Sequence, residues 1–171
     1  MSKRPRPYKW KEGEGNVGDI VWCRHHDRLI ETLCEHAIYR VMHIESYKPR
    51  HQRPTRLCAF RPVKGRLPQA VTKACAVWSK AATTLSEADV AWSEAVGARS
   101  WTYAVCPETV AALSKAESAL SKAESAWSKA DGALSKAVQD SLPEILALFH
   151  KECPGVEFRW GHGLVFPEVQ E

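Results

Sequence analysis

No run of about 18 apolar residues occurs anywhere in the 171-residue chain, which excludes an ordinary transmembrane helix. The opening MSKRPRPYKW is basic but lacks the apolar centre of a secretory signal, so a cytoplasmic location is expected. There is no Gly-rich phosphate loop, no serine-hydrolase elbow and no paired-carboxylate site, and an enzyme is not expected. The six cysteines fall at irregular spacing, which fits reduced thiols better than a disulfide framework. Between residues 48 and 66 acidic residues are missing altogether.

What the chain has in abundance is a seven-residue repeat. ALSKAES is written out in full twice, from Ala112 and from Ala119, and then twice more with drift to residue 138. Leu113, Leu120, Trp127 and Leu134 share one register, position a, which also holds Trp78, Leu85 and Trp92 further back. Position d is alanine throughout (Ala81, Ala88, Ala95, Ala116, Ala123, Ala130, Ala137), and position g is mostly alanine (Ala91, Ala98, Ala112, Ala119, Ala126, Ala133). On a helix, g, d and a make one apolar arc, and these residue types favour helix. A leucine zipper carries large residues at both a and d. Alanine at d lets two helix axes approach more closely. A tight alanine-lined, coiled-coil-like pair is therefore expected, with Trp78, Leu85, Trp92, Leu113, Leu120, Trp127 and Leu134 as its packing seam.

Lysines at position c (Lys115, Lys122, Lys129, Lys136) and acids at position e (Glu117, Glu124, Asp131) form a basic rail and an acidic rail. Pro107, which removes a backbone donor and suits a helix start, divides the repeats into two blocks. The expectation is an antiparallel helical hairpin, with one kinked helix or a dimeric coiled coil as alternatives.

The charge is uneven. Residues 1–73 hold 16 Lys/Arg against 7 Asp/Glu, and the remainder holds 8 against 13. Four regions are expected: a basic, disordered or loosely attached lead (1–18); an N-terminal region (19–67) with an amphipathic helix from Asp27 to Tyr47 and a basic loop; the heptad hairpin (68–150), broken near Pro107; and a short β-hairpin tail (151–171), pegged by Trp160 and Phe166. The fold class is mainly α with this small β element.

The front pattern WCRHHDRLIE…KP…RPVKGRLP and the ending HKECPG…W…G…LVF flank the near-identical heptads. Together they resemble a group of uncharacterised alanine-rich heptad-repeat proteins of tailed phages and metagenomes. The resemblance implies a phage-encoded accessory factor working in a host cytoplasm, and no particular reaction. Members carry a second cysteine three residues after the position of Cys153, where this chain has Val156.

Three candidate sites follow. The heptad hairpin is an interaction or assembly element for a protein partner or for self-association. The basic stretch Lys48, Arg50, Arg53, Arg56, Arg61, Lys64 and Arg66 is a candidate phosphate contact of a nucleic-acid-binding accessory protein, although aromatic neighbours for base stacking are few. Its alternative is a solvated loop or a surface that docks on acidic flanks. Cys23, His25, His26, Cys34 and His36, joined by His150 and Cys153, are candidate zinc ligands of a metal-stabilised module, but their spacing is not that of a standard finger. Buried thiols and surface histidines are the alternative there.

Overall fold

The structure, a computed structural model, describes residues 6–25, 28–101, 106–159 and 163–165. It is mainly helical, and its longest elements are α3 (Gln69–Trp101) and α4 (Pro107–Asp140), which pack along each other as an antiparallel hairpin. Pro107 stands at the first position of α4 behind Cys106, where a missing N–H costs nothing. Among the described residues no helix is long and apolar enough to cross a membrane.

Around the root of this hairpin sits a base of short elements. Strands β1 (Ile20–His25) and β2 (Arg28–Thr32) form one antiparallel pair. Helices α1 (Ala37–Tyr47) and α2 (Arg53–Ala59) follow. After α4 come α5 (Leu142–Glu152) and a second pair, β3 (Glu157–Arg159) with β4 (Gly163–Val165), which lies against β1. The expected tail hairpin is thus present; its proposed pegs Trp160 and Phe166 lie outside the described residues.

Two expectations for the front of the chain are corrected. The helix expected from Asp27 to Tyr47 is instead strand β2, a turn, and then α1. Ile30, Leu33, Ala37, Val41 and Ile44 share a helical spacing, yet only the last three lie on a helix. Pairing with β1 takes residues 28–32 into the sheet, and the His36 side chain accepts from Ile38 N–H to start α1 afresh.

The loose lead is also corrected from residue 6 onward. Tyr8 N–H donates to Leu57 O, and Trp10 packs on Phe60 with ring centroids 5.2 Å apart. The Tyr8 hydroxyl donates to Glu14 at 2.7 Å and holds that carboxyl below the usual carboxylate range. Gly15, at φ +80°, brings its carbonyl to Ala37 N–H; a Cβ there would run into Ala37 and the Trp10 ring.

The larger core gathers Trp22, Leu29, Ile30, Cys58, Val71, Cys75, Trp78, Leu134, Val138, Ile145, Phe149 and Cys153. It therefore holds the root ends of α3 and α4 together with α5 and the strands. A smaller cluster of Val21, Leu33, Ala37, Ile44 and Phe60 seats α1. Beyond Ala82 the hairpin leaves this core and projects as an arm of roughly 28 Å, at 1.5 Å per residue.

Glu152, at the end of α5, locks the base. Its carboxylate accepts from Trp22 Nε1–H at 2.9 Å and from the backbone N–H groups of Lys64 and Gly65. A side chain at residue 65 would collide with Leu148 and Glu152, so glycine permits this approach. Arg61 donates to Glu152 O at 2.6 Å and to Cys58 O at 2.8 Å, closing the same junction from the other side.

Replacing Glu152 with Ala strands the indole N–H of fully buried Trp22 and two backbone donors. The expected loss is about 2–4 kcal/mol, read as a lower urea midpoint at unchanged slope. Glu152→Gln keeps an acceptor and should lose less. Wild-type stability in Glu152→Ala would refute the lock.

Candidate functional site

The seam residues meet as the repeat requires, but unequally. Trp78, Leu113 and Leu134 are buried, as are Ala123 and Ala130 at position d. Leu85, Trp92, Leu120 and Trp127 stay half-exposed, because two helices alone cannot enclose side chains of that size. The root of the seam is fixed by Trp78, whose indole N–H donates to Asp131 Oδ1 at 2.9 Å and whose ring lies 6.5 Å from that of Trp127.

The continuous apolar arc through g, d and a is corrected. Ala91, Ala98, Ala112, Ala119, Ala126 and Ala133 at position g are all exposed. The helices bury a and d against each other and turn their g sides outward together. In an antiparallel pair this also puts both e sides on one face.

That e face carries a groove of about 470 Å³, lined by Trp78, Leu85, Leu120 and Trp127 at its floor and by Ala82, Ser86, Asp89 and Glu124 at its sides. A smaller, more enclosed hollow of about 270 Å³ continues it toward the base, where Val17, Leu33 and Cys34 close the end. Asp89 and Glu124 give the groove an acidic rim, which exposed Glu117 extends toward the tip. The lysines at position c of α4 lie nearly opposite e around that helix, so they leave this acidity in place. A half-exposed apolar floor between carboxylates suits an amphipathic helix bearing cations at its edges.

The basic stretch is not a bare run of cations. Arg53 donates to Lys48 O at 2.7 Å, and Arg56 donates twice to Gln52 Oε1. Arg61 is held in the Glu152 junction and lies over the Tyr8 ring, while Lys64 pairs with Glu14 at 3.3 Å. These four cations have structural partners in the base of the fold, and none of the partners named lies on the acidic flank of the arm. Arg50 and Arg66 are exposed, and Lys48 is half-buried.

The candidate zinc ligands are dispersed where the structure describes them. Cys34 and His36 are exposed, with His36 engaged as the cap of α1. His150 is exposed, whereas Cys153 one turn on is fully buried, its Sγ directed to Ala59 O at 3.9 Å. Burial pushes the Cys153 thiol up to about 12 and also raises Cys58 and Cys75. His26 and the side chains of Cys23 and His25 lie outside the described residues. Among the described residues no three His, Cys, Asp or Glu side chains come together as a metal site.

Sequence reasoning missed two contributors. Cys34 enters as part of the groove's end, and nothing local foretells its position beside Trp78. The exposed apolar side chains of α1 (Ile38, Tyr39, Met42) carry no signal of their own in the sequence, because the inward set Ala37, Val41 and Ile44 accounts for the helical spacing. Comparison with protein-family models, with curated proteins and with solved structures gives no match.

The thiols generate a pH prediction. An unfolded thiol ionises near 9.0 and Cys153 in the fold only at about 12, so between these values the unfolded chain binds fewer protons. Stability should fall as pH rises from about 9 toward 12, with no contribution below. Urea midpoints across that window should fall less steeply in Cys153→Ala than in the wild type. At pH 8 a disulfide reagent should modify Cys34 rapidly, but Cys58, Cys75 and Cys153 only after unfolding.

Proposed function

We propose that this chain is a non-enzymatic interaction and assembly factor, and that its helical arm holds an amphipathic helix of a protein partner in the groove between α3 and α4. The observation that carries the reading is the half-exposed floor of Leu85, Leu120 and Trp127 beneath the carboxylates of Asp89 and Glu124. Tryptophan is enriched among residues that dominate binding energy. The Trp78–Asp131 bond and the buried root keep the two walls in register, so the groove exists before the partner arrives. A phage-encoded accessory factor, the setting implied by the resemblance, is the context in which we place this activity.

Nucleic acid is the competing partner, and it draws less support. Arg53, Arg56, Arg61 and Lys64 serve the fold, and no reader motif accompanies the remaining cations.

The test uses two designed helical peptides, each with leucines at i, i+4 and i+7. One has flanking arginines and the other flanking glutamates. Fluorescence anisotropy should show the basic peptide binding with a dissociation constant on the order of 1–100 μM, with the acidic peptide at least tenfold weaker. Bound peptide should slow modification of Cys34 at the groove's end. Leu120→Asp should weaken binding by about 30-fold, the effect of a typical hot-spot residue. If neither peptide binds below millimolar concentration, the docking reading fails. Tight, salt-dependent binding of an oligonucleotide in their place would transfer the function to the basic stretch.

A further inference from the structure

Two indole rings share the pocket in the floor of the groove. Trp78 and Trp127 both line it, with ring centroids 6.5 Å apart and planes inclined at 54°. The face of an aromatic ring carries negative potential, and among the aromatic side chains tryptophan attracts a cation best. At this separation a single cation can stand within about 6 Å of both ring centroids. The bond from Trp78 Nε1–H to Asp131 Oδ1 holds one ring in place and occupies its polar edge.

Charge selects the same kind of ligand. Among the described residues that line the pocket, Asp89 and Glu124 are carboxylates and none is lysine, arginine or histidine. Neither carboxylate forms an ion pair among the described residues. An anion would be repelled by both. A neutral apolar ligand covering the pocket would strip water from them and return no partner. A small hydrated metal ion would leave Leu85, Leu120 and both indoles unused. An alkylated ammonium satisfies every wall. Its charge is spread over apolar methyl groups, and its stem can lie on Leu85 and Leu120.

We infer that the floor of the groove is a binding site for a quaternary ammonium group, held against Trp78 and Trp127 with Asp89 and Glu124 as its counter-charges. The inference rests on the groove of the docking reading and names the chemical group that its floor takes. That group has two sources, a free small molecule or a trimethylated lysine on the bound helix, and both present the same head.

Choline and its neutral isostere, in which a tert-butyl group replaces the trimethylammonium head, match in shape and differ in charge. Both are titrated into the isotope-labelled full chain and followed by the NMR signals of the indole N–H groups. Choline should shift the signals of Trp78 and Trp127, identified as those lost in Trp78→Phe and Trp127→Phe, with a dissociation constant on the order of 1–10 mM. The isostere should bind at least fivefold more weakly. Glu124→Gln, at an exposed position, should weaken choline about threefold and narrow its margin over the isostere. Trp127→Leu keeps an apolar floor but removes the ring, so the margin should fall toward one. A substitution that merely loosened the arm would weaken both ligands together and leave that ratio in place.

Equal affinity for choline and its isostere, or no saturable shift of the two signals, overturns the inference. The designed basic peptide separates this from failure of the docking reading. If the peptide binds and choline does not, the groove is a helix site without an ammonium pocket. If choline binds and the peptide does not, the pocket stands and the docking reading ends. With choline bound by the chain, a peptide carrying one trimethyllysine identifies the source. Tighter binding than its unmethylated parent, with displacement of choline, assigns the head to a partner's side chain, and no gain assigns it to a free molecule.

Discussion

The carboxylate of Glu152 ties together three parts of the chain that are far apart in sequence. It accepts from the Trp22 indole, from Lys64 N–H and from Gly65 N–H, while Arg61 grips the carbonyl of the same residue. Strand β1, the segment before α3 and the end of α5 thus share one junction. The segment 61–63 runs beside β1, with Trp22 N–H donating to Arg61 O and Val63 N–H to Ile20 O, and it leads straight into the first arm helix. The direction in which the arm leaves the base is fixed here. A buried indole N–H and charged partners make such a junction costly to break.

From that root the arm is economical in apolar material. Alanine at d closes the distance between the axes, and the large side chains at a then exceed what two helices can cover. The surplus emerges on one side only, since an antiparallel pair places both e positions together and both g positions together. Acids occupy e on α4, and Asp89 occupies it on α3, so the half-exposed tryptophans and leucines lie between carboxylates rather than between lysines. A rigid root, an apolar groove and a one-signed rim are the physical content of the proposed docking role.

The parts that were legible in the sequence share a property. Residues 69–101 and 107–140 repeat one seven-residue pattern often enough that helix follows from local spacing, and Pro107 marks where one helix must stop and another start. The tail hairpin is also a local signal. The front reads as one helix because Ile30 and Leu33 continue the spacing of α1, and the structural role of the basic stretch is not legible because its acceptors (Gln52 Oε1, Glu14, and the carbonyls of Lys48, Cys58 and Glu152) are partly remote in sequence.

By itself, then, the sequence determined that two long helical blocks form and that Pro107 divides them, with an antiparallel hairpin preferred over one kinked helix or a dimer. These follow from periodicity, capping and the limits proline sets on the backbone, all of which act within a few residues. Only the tertiary structure decided that 28–32 is a strand, that the lead from residue 6 is docked, that the g alanines face solvent, and that Cys34 closes a groove under Trp78. Each of these depends on which distant donor finds which acceptor, or on which side of a helix pair meets the rest of the chain. Local spacing carries no record of such encounters.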